Sequence, residues 1–396
     1  MISPPRFLRY LLCAALIQTS AAAPFPAPKS APRLKGEQTL TVSSIPKTQR
    51  LEGGTAIGSA ISISGDWLAV QQQSFLATPV IHLFQRQSKP LWNRKPWKWR
   101  AAIPSGYGDI HLHAGQLIST TPYGVALQVH ALVDGEWSKI QELPSVGYYG
   151  LRFVGRDGKL ALGDFSFSSY PRPIHALDHD PQSGTWSLQE VIAPEKGTRP
   201  WRVSDRRGDR IIATRPASGS AATIFEKGPA GWAPQASLPQ PPGHDDGLPI
   251  SISPYYEATF ANDGSIVVLA NHTDFLGNPT HNTLLRYQLG SGGEGWQPSE
   301  EREVDWQHAR IAAIDDLFAL YGGRTGGVGS PVIEKMALFD EEDRDLAAPK
   351  HKVAHLSWSG DHCVTSDCAT DSLGNLAGTG VRIYRMIPPK AARTRR

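Results

Sequence analysis

Sulfur is scarce in this chain, with 3 cysteines and 3 methionines among 396 residues. So few cysteines exclude a fold built on a disulfide framework. Charge of one sign is lacking as well. Forty Lys and Arg stand against 37 Asp and Glu, a net charge of +3, which is too balanced to point to nucleic acid or an anionic membrane surface. No apolar run approaches the roughly 20 residues that a membrane-spanning helix needs. Gly-x-Ser-x-Gly, His-Glu-x-x-His and Cys/His sets with zinc spacing are all missing, so no familiar catalytic signature is present. What the chain does have is 38 Gly, 32 Pro and 11 Trp. That mixture suits many short strands joined by turns and suits long helices poorly.

The amino terminus has the layout of an export signal. Arg6 and Arg9 precede the short apolar run Leu11 to Ile17, and Ser20, Ala21 and Ala22 supply the small residues that a signal peptidase requires. Residues 1–22 are therefore expected to be removed and the protein to work outside the cytoplasm, in a periplasm or secreted. Cleavage takes Cys13 and leaves Cys363 and Cys368. An even pair in an exported chain predicts a disulfide, contributing on the order of 2 kcal/mol across so small a loop. Residues 23–37 are rich in Pro and Ala and read as a linker, residues 38–389 as the folded domain, and residues 390–396 as a basic, disordered tail.

The domain repeats itself. Each copy runs from a half-apolar strand through a tight Gly/Asp turn into a second apolar strand. A third strand, a Trp and a fourth strand that often closes on Pro follow. The turns are Gly65-Asp66, Gly115-Gln116, Asp157-Gly158, Gly208-Asp209, Asp263-Gly264, Asp315-Asp316 and Gly360-Asp361. Trp97 to Pro104, Trp137 to Pro144 and Trp232 to Pro239 share one spacing. Copies of roughly 40 to 60 residues match four-stranded blades, so the expected fold is all-β, a seven-bladed β-propeller. The seventh copy runs out after three strands, while Leu40 to Pro46 looks like a fourth strand without partners. Pairing Leu40 to Pro46 with Val381 to Tyr384 would complete the last blade and remove two exposed sheet edges. The Trp in each copy reads as a packing anchor between blades.

The stretch Ile57 to Val70 (IGSAISISGDWLAV), followed by VIHLFQRQ and a Trp strand, resembles the repeats of FG-GAP, integrin-alpha-like propeller proteins. Ile57-Gly58 stands where those repeats carry Phe-Gly. Many of them carry an Asp-x-Asp-x-Asp-Gly calcium loop. This sequence has none, so calcium has no motif to support it and no cofactor is expected.

Several local patterns read as structure. Asp178 to Trp186 (DHDPQSGTW) resembles the Asp-box and kelch turns, where Asp caps a turn and Trp packs beneath it. The acidic run from Asp340 to Asp345 has no Gly to shape a metal loop. The Gly-rich stretch 322–329 opens no helix and so makes no phosphate cradle. Arg94 to Arg100 mixes basic and aromatic residues on an outer strand, where alternation alone exposes the bases.

One set of residues points inward. Aligning the copies on their turns places Asp109, His111, Arg152, Arg202, Glu257, His308, Arg310 and His355 at or just before the first strands, which line the channel of a propeller. With Trp358 nearby they would form a polar funnel suited to a ligand. Asp109, Arg152, Arg202, Glu257, Arg310 and Trp358 are the expected ligand contacts. The sequence supports a non-enzymatic, monomeric module that binds a ligand, such as carbohydrate or another exported protein, through loops on one face. The alternative is a polysaccharide lyase or glycosidase in which His111, His308 or His355 is the acid/base. The export reading is checked by sequencing the amino terminus of protein recovered outside the cytoplasm. The expected first residue is Ala23, and an intact Met1 in such material would contradict it.

Overall fold

The structure is a computed structural model. It describes residues 33–387 apart from 54–56, 75, 89–94, 123–125, 145–150, 165–172, 194–200, 216–218, 241–254, 274–278, 291–294, 305–309, 315–316, 323–334, 341–344, 347–352, 354, 368, 371–375 and 378–379. The described residues are mostly strand, in a β-propeller arrangement of four-stranded antiparallel blades. The only helical turns among them are the single 3-10 turns Val42–Ser44 and Lys47–Gln49.

Each sheet is a meander whose first strand lies innermost. The first comprises Ile57–Ser64, Trp67–Gln72, Val80–Arg86 and Trp97–Pro104. The second comprises His111–His113, Gln116–Thr120, Leu127–Val133 and Glu136–Leu143. The third runs Leu151–Arg156, Lys159–Asp164, Ile174–Asp180 and Thr185–Ile192. The fourth runs Arg202–Arg207, Arg210–Thr214, Ser220–Gly228 and Gly231–Pro239. The fifth runs Tyr255–Phe260, Ile266–Thr273, Pro279–Leu289 and Trp296–Val304. The next has Arg310–Ile314, Leu317–Gly322 and Lys335–Asp340, with a rudimentary fourth strand of two residues, Asp345–Leu346. The last has His355–Ser359, His362–Ser366 and Val381–Ile387, and its outer strand is Arg33–Leu40 from the amino terminus. Full-length fourth strands are therefore found in six of these sheets.

The two chain ends do meet, but seven residues earlier than the sequence suggested. Arg33 pairs with Ile387 and Leu40 with Val381, antiparallel, with a bulge between Gly36 and Gln38. Of the expected strand Leu40 to Pro46, Leu40 ends the paired strand and Val42–Ser44 forms a tight turn, with a second turn at Lys47–Gln49, and the supposed linker 23–37 already contributes strand from Arg33. The cause is the character of an outermost strand. Lys35 and Thr39 are exposed and Glu37 and Gln38 are turned to polar partners, so RLKGEQTL carries little apolar signal, while Leu40 and Ile45 are buried as anchors beside Trp97. Apolar character at 40–46 thus marks the chain's entry into the core, not the paired strand.

No single core exists. Apolar side chains gather in layers between successive sheets. Ile212, Ile224, Tyr256 and Val268 join the fourth sheet to the fifth. Ile118, Val129, Leu160 and Leu177 join the second to the third. Leu40, Ile61, Val364 and Ile383 join the last to the first. Sheets buried on both faces explain apolar runs such as Ile266 to Ala270 in place of strict alternation. The Trp residues fill these layers, as their packing role requires: Trp97 and Trp186 are almost wholly buried, and Trp137, Trp232 and Trp296 pack against layer edges.

Inner turns are tight. Asp157 and Gly158 both have positive φ, 55° and 71°, the backbone of a type I′ hairpin. In the Asp178 to Trp186 segment, Asp180 caps its turn, accepting from the Gln182 amide at 2.9 Å and the Ser183 hydroxyl at 2.6 Å. The Trp186 indole N–H donates to Gln116 of the neighbouring sheet at 2.5 Å.

The predicted disulfide is not formed. Cys363 is a free thiol on an interior strand, fully buried with Ala319 and Val353 in the layer between the last two sheets, and burial raises its pKa. Its side chain is committed to that layer. Cys368 lies outside the described residues.

Gly58 sits in the closing seam with φ +100°, and a Cβ there would lie 2.2 Å from the Ser366 hydroxyl, which itself donates to the Gly58 carbonyl at 2.7 Å. Gly58→Ala is therefore expected to destabilise the fold by about 2 to 4 kcal/mol through backbone strain and overpacking. Urea denaturation checks this, and an unchanged midpoint would contradict it.

Candidate functional site

The innermost strands enclose an axial cavity of about 760 Å³. Residues from every four-stranded sheet line it, among them Ser62, Asp109, His111, Arg152, Asp205, Thr259, Arg310 and Ser357. Strand geometry explains why. Each inner strand has one flank against a neighbouring sheet and one toward the axis, so polar side chains are tolerated only where the axis admits solvent.

At the end where the inner strands begin, charges from four sheets converge. Arg152 of the third sheet donates to Glu257 of the fifth at 3.1 Å, and Arg310 of the following sheet lies 3.6 Å from the same carboxylate oxygen. The other Glu257 oxygen accepts the Ile311 amide at 3.3 Å. Asp109 of the second sheet feels both arginines and accepts the Phe153 amide. Two carboxyl groups and two guanidinium groups thus meet across the channel.

Their titration follows from burial opposed by these partners. For Asp109 burial wins over Arg310, Arg152 and the Phe153 amide, and its pKa is raised. For Glu257, 3% exposed, burial is again the largest single effect. The sum of Arg152, Arg310 and the Ile311 amide nonetheless overcomes it and holds the pKa below the usual range. The nearby histidines stay neutral. Burial, then the proximity of His113, lowers His111 to about 3. Burial and His179 lower His113, with Asp157 pulling the other way. His111 and His113 stack at 6.4 Å between ring centres, and His113 meets His179 edge to face at 5.2 Å.

Of the residues singled out in the sequence, Asp109, His111, Arg152, Arg310, His355 and Trp358 line the cavity. Glu257 lies behind it as the carboxylate that binds the two arginines. Arg202 begins the fourth inner strand without lining the cavity. His308 lies outside the described residues. Sequence reasoning missed the opposite end of the same strands. Ser64, His113, Arg156, Arg207 and Ser359 each end an inner strand immediately before its turn, and all five line the cavity. The turn alignment that gave the strand starts could also have given these positions.

Comparison with known proteins adds fold alone. No family profile matches the chain, and no curated protein matches it in sequence. Among solved structures, the WD40 domain of Toxoplasma gondii coronin is similar, with a TM-score of 0.52 at 11% identity over 93% of this chain and 87% of that one. Saccharomyces cerevisiae Sqt1 aligns with a TM-score of 0.49 at 12% identity over 89% of this chain and 100% of that one. A Lactobacillus plantarum protein aligns at 0.47 and 10% identity over 84% and 89%.

Glu257→Gln is expected to leave two arginines facing each other without their shared anion and to cost about 3 kcal/mol at pH 7. Because the folded-state pKa of Glu257 is depressed, its stabilisation is complete above its ordinary value of 4.5 and is lost as pH falls through the folded value. Thermal melts of wild type and variant should therefore differ above pH 4.5 and converge in stronger acid. A gap that is absent at pH 7, or that stays constant into strong acid, would contradict this.

Proposed function

We propose that this chain is an exported, non-catalytic β-propeller module whose ligand binds in the axial cavity and on the loops around it. A propeller fold supports an interaction role in general. The observation that carries the particular reading is a polar cavity of about 760 Å³ with contributions from every four-stranded sheet, a size that fits a small ligand or a few saccharide units. On this reading the sheets form one closed seven-bladed ring, with the short-stranded sheet counted as a blade, and the protein acts as a monomer outside the cytoplasm. The kinship suggested by Ile57 to Val70, to FG-GAP propellers without calcium loops, belongs to the same proposal. Carbohydrate or an exported protein segment is the partner class, and Trp358 offers an aromatic face beside the cavity.

The enzymatic alternative, a lyase or glycosidase, draws on the same residues and is less well supported. The acids at the channel end are bound to arginines, and His111, held near 3, is a weak base at neutral pH. The deciding assay incubates purified protein with uronic-acid and neutral polysaccharides, following both binding and product. Saturable binding without new reducing ends or unsaturated products is expected. Turnover would establish the enzyme, and absence of binding to any saccharide or exported-protein extract would remove the module reading.

A further inference from the structure

At the end where inner strands meet their turns, the cavity is lined by Arg156 and Arg207 beside Asp157 and Asp205, and among the described residues neither arginine is in ion-pair contact with a carboxylate. Arg207 donates to two neutral acceptors, the Ala261 carbonyl at 2.5 Å and the Asn262 side-chain oxygen at 2.8 Å. Among the described residues, the Arg156 side chain on the adjacent inner strand makes no hydrogen bond and no ion pair within contact distance, and Asp205 acts on it only at longer range. The carboxylate that faces Arg156 is Asp205, and it is engaged elsewhere. It accepts the Thr259 hydroxyl at 2.8 Å, the Phe260 amide at 3.0 Å and the Arg206 amide at 2.7 Å. Burial, outweighing Arg156 and these donors, raises its pKa. Other local cations are accounted for. Lys159 is shared between Asp178 and Asp209 at 3.6 and 3.8 Å, and Arg206 is buried against Asp178 at 2.5 Å. Asp157, which follows Arg156 in the turn, is exposed, lines the cavity and acts on His113.

The hydroxyls of the same region add donors. Ser62 accepts the Leu112 amide at 2.8 Å, Ser357 the Ile63 amide at 3.1 Å and Ser359 the Gly65 amide at 3.2 Å. Each oxygen is occupied by an amide across a seam, which leaves each hydroxyl proton free to donate toward the cavity that these serines line. Two guanidinium groups on neighbouring strands and a set of hydroxyl donors, lining one cavity, make a receptor for an oxyanion.

We propose that the turn end of the channel binds a carboxylate, sulfate or phosphate group of a small ligand, with Arg156 and Arg207 as its two anchors. The proposal rests on the channel being the binding site and deepens that reading by naming the ligand's charge. Calorimetric titration of the full chain with sulfate, galacturonate and neutral galactose tests it. Binding of at least one anion is expected, falling at least tenfold in Arg156→Met and in Arg207→Met, retained in Arg156→Lys, and weakening in wild type as salt rises. Sulfate binding alone identifies a free inorganic anion as the ligand, and galacturonate binding alone an acidic sugar. Galactose bound as tightly as galacturonate, with no salt dependence, would overturn the anion assignment while leaving channel binding intact. No binding of either anion, with the variants folded by circular dichroism, would also overturn it. The wild-type salt series decides the matter even where a variant fails to fold.

Discussion

Eight residues near the amino terminus hydrogen-bond along the last strand of the chain, and the rest of the architecture depends on that pairing. Sheets that pack face to face cannot close by themselves. Without Arg33–Leu40 beside Val381–Ile387 the last sheet would have three strands and an open edge, the arrangement that invites pairing with other chains. The pairing costs little local sequence. Only Leu40 of the strand is wholly buried, and the hold is reinforced by Glu37 near Arg86 and His362, at 3.7 and 3.5 Å, and by the Gln38 amide on the Trp97 backbone at 3.1 Å. Closure thus joins the terminal strand to the first and last sheets together.

Once the ring is closed, the chemistry of the channel follows from geometry. Inner strands from all the sheets bring their ends to two levels on one axis. Charges at the starting level come from sheets far apart in sequence, as the 105-residue separation of Arg152 and Glu257 shows, and Glu257 there binds two arginines. At the turn level, among the described residues, neither Arg156 nor Arg207 is in ion-pair contact. The two levels therefore differ: the paired group braces sheets across the axis, and the two guanidiniums at the turns are the anchors proposed for an anion.

The repeat, the strand order and the packing role of the tryptophans were legible because turns and large apolar residues recur at readable spacing. So was the structural role of Asp180, since an Asp-capped turn is a local property. The true outer strand was not legible, because RLKGEQTL is mostly polar and its pairing depends on a partner more than 300 residues away. The fate of Cys363 was not legible either. Two nearby cysteines suggest a bond, but the residue sits on a strand whose side chain belongs to an inter-sheet layer. For the channel, alignment on the turns found the starting level of the strands, including Asp109, Arg152 and Arg310. It passed over Arg156 and Arg207, which matter because neither, among the described residues, is in ion-pair contact with a carboxylate, a property visible only with Asp205 and Asn262 in place.

Amide hydrogen exchange across residues 33–40 tests the closed ring most directly. If the amino-terminal strand completes the last sheet, its ladder amides exchange as slowly as those of Val381–Ile387, and both segments lose protection in one cooperative step as denaturant is added. Exchange at residues 33–40 at the rate of an unstructured peptide, while Val381–Ile387 stays protected, would contradict the account.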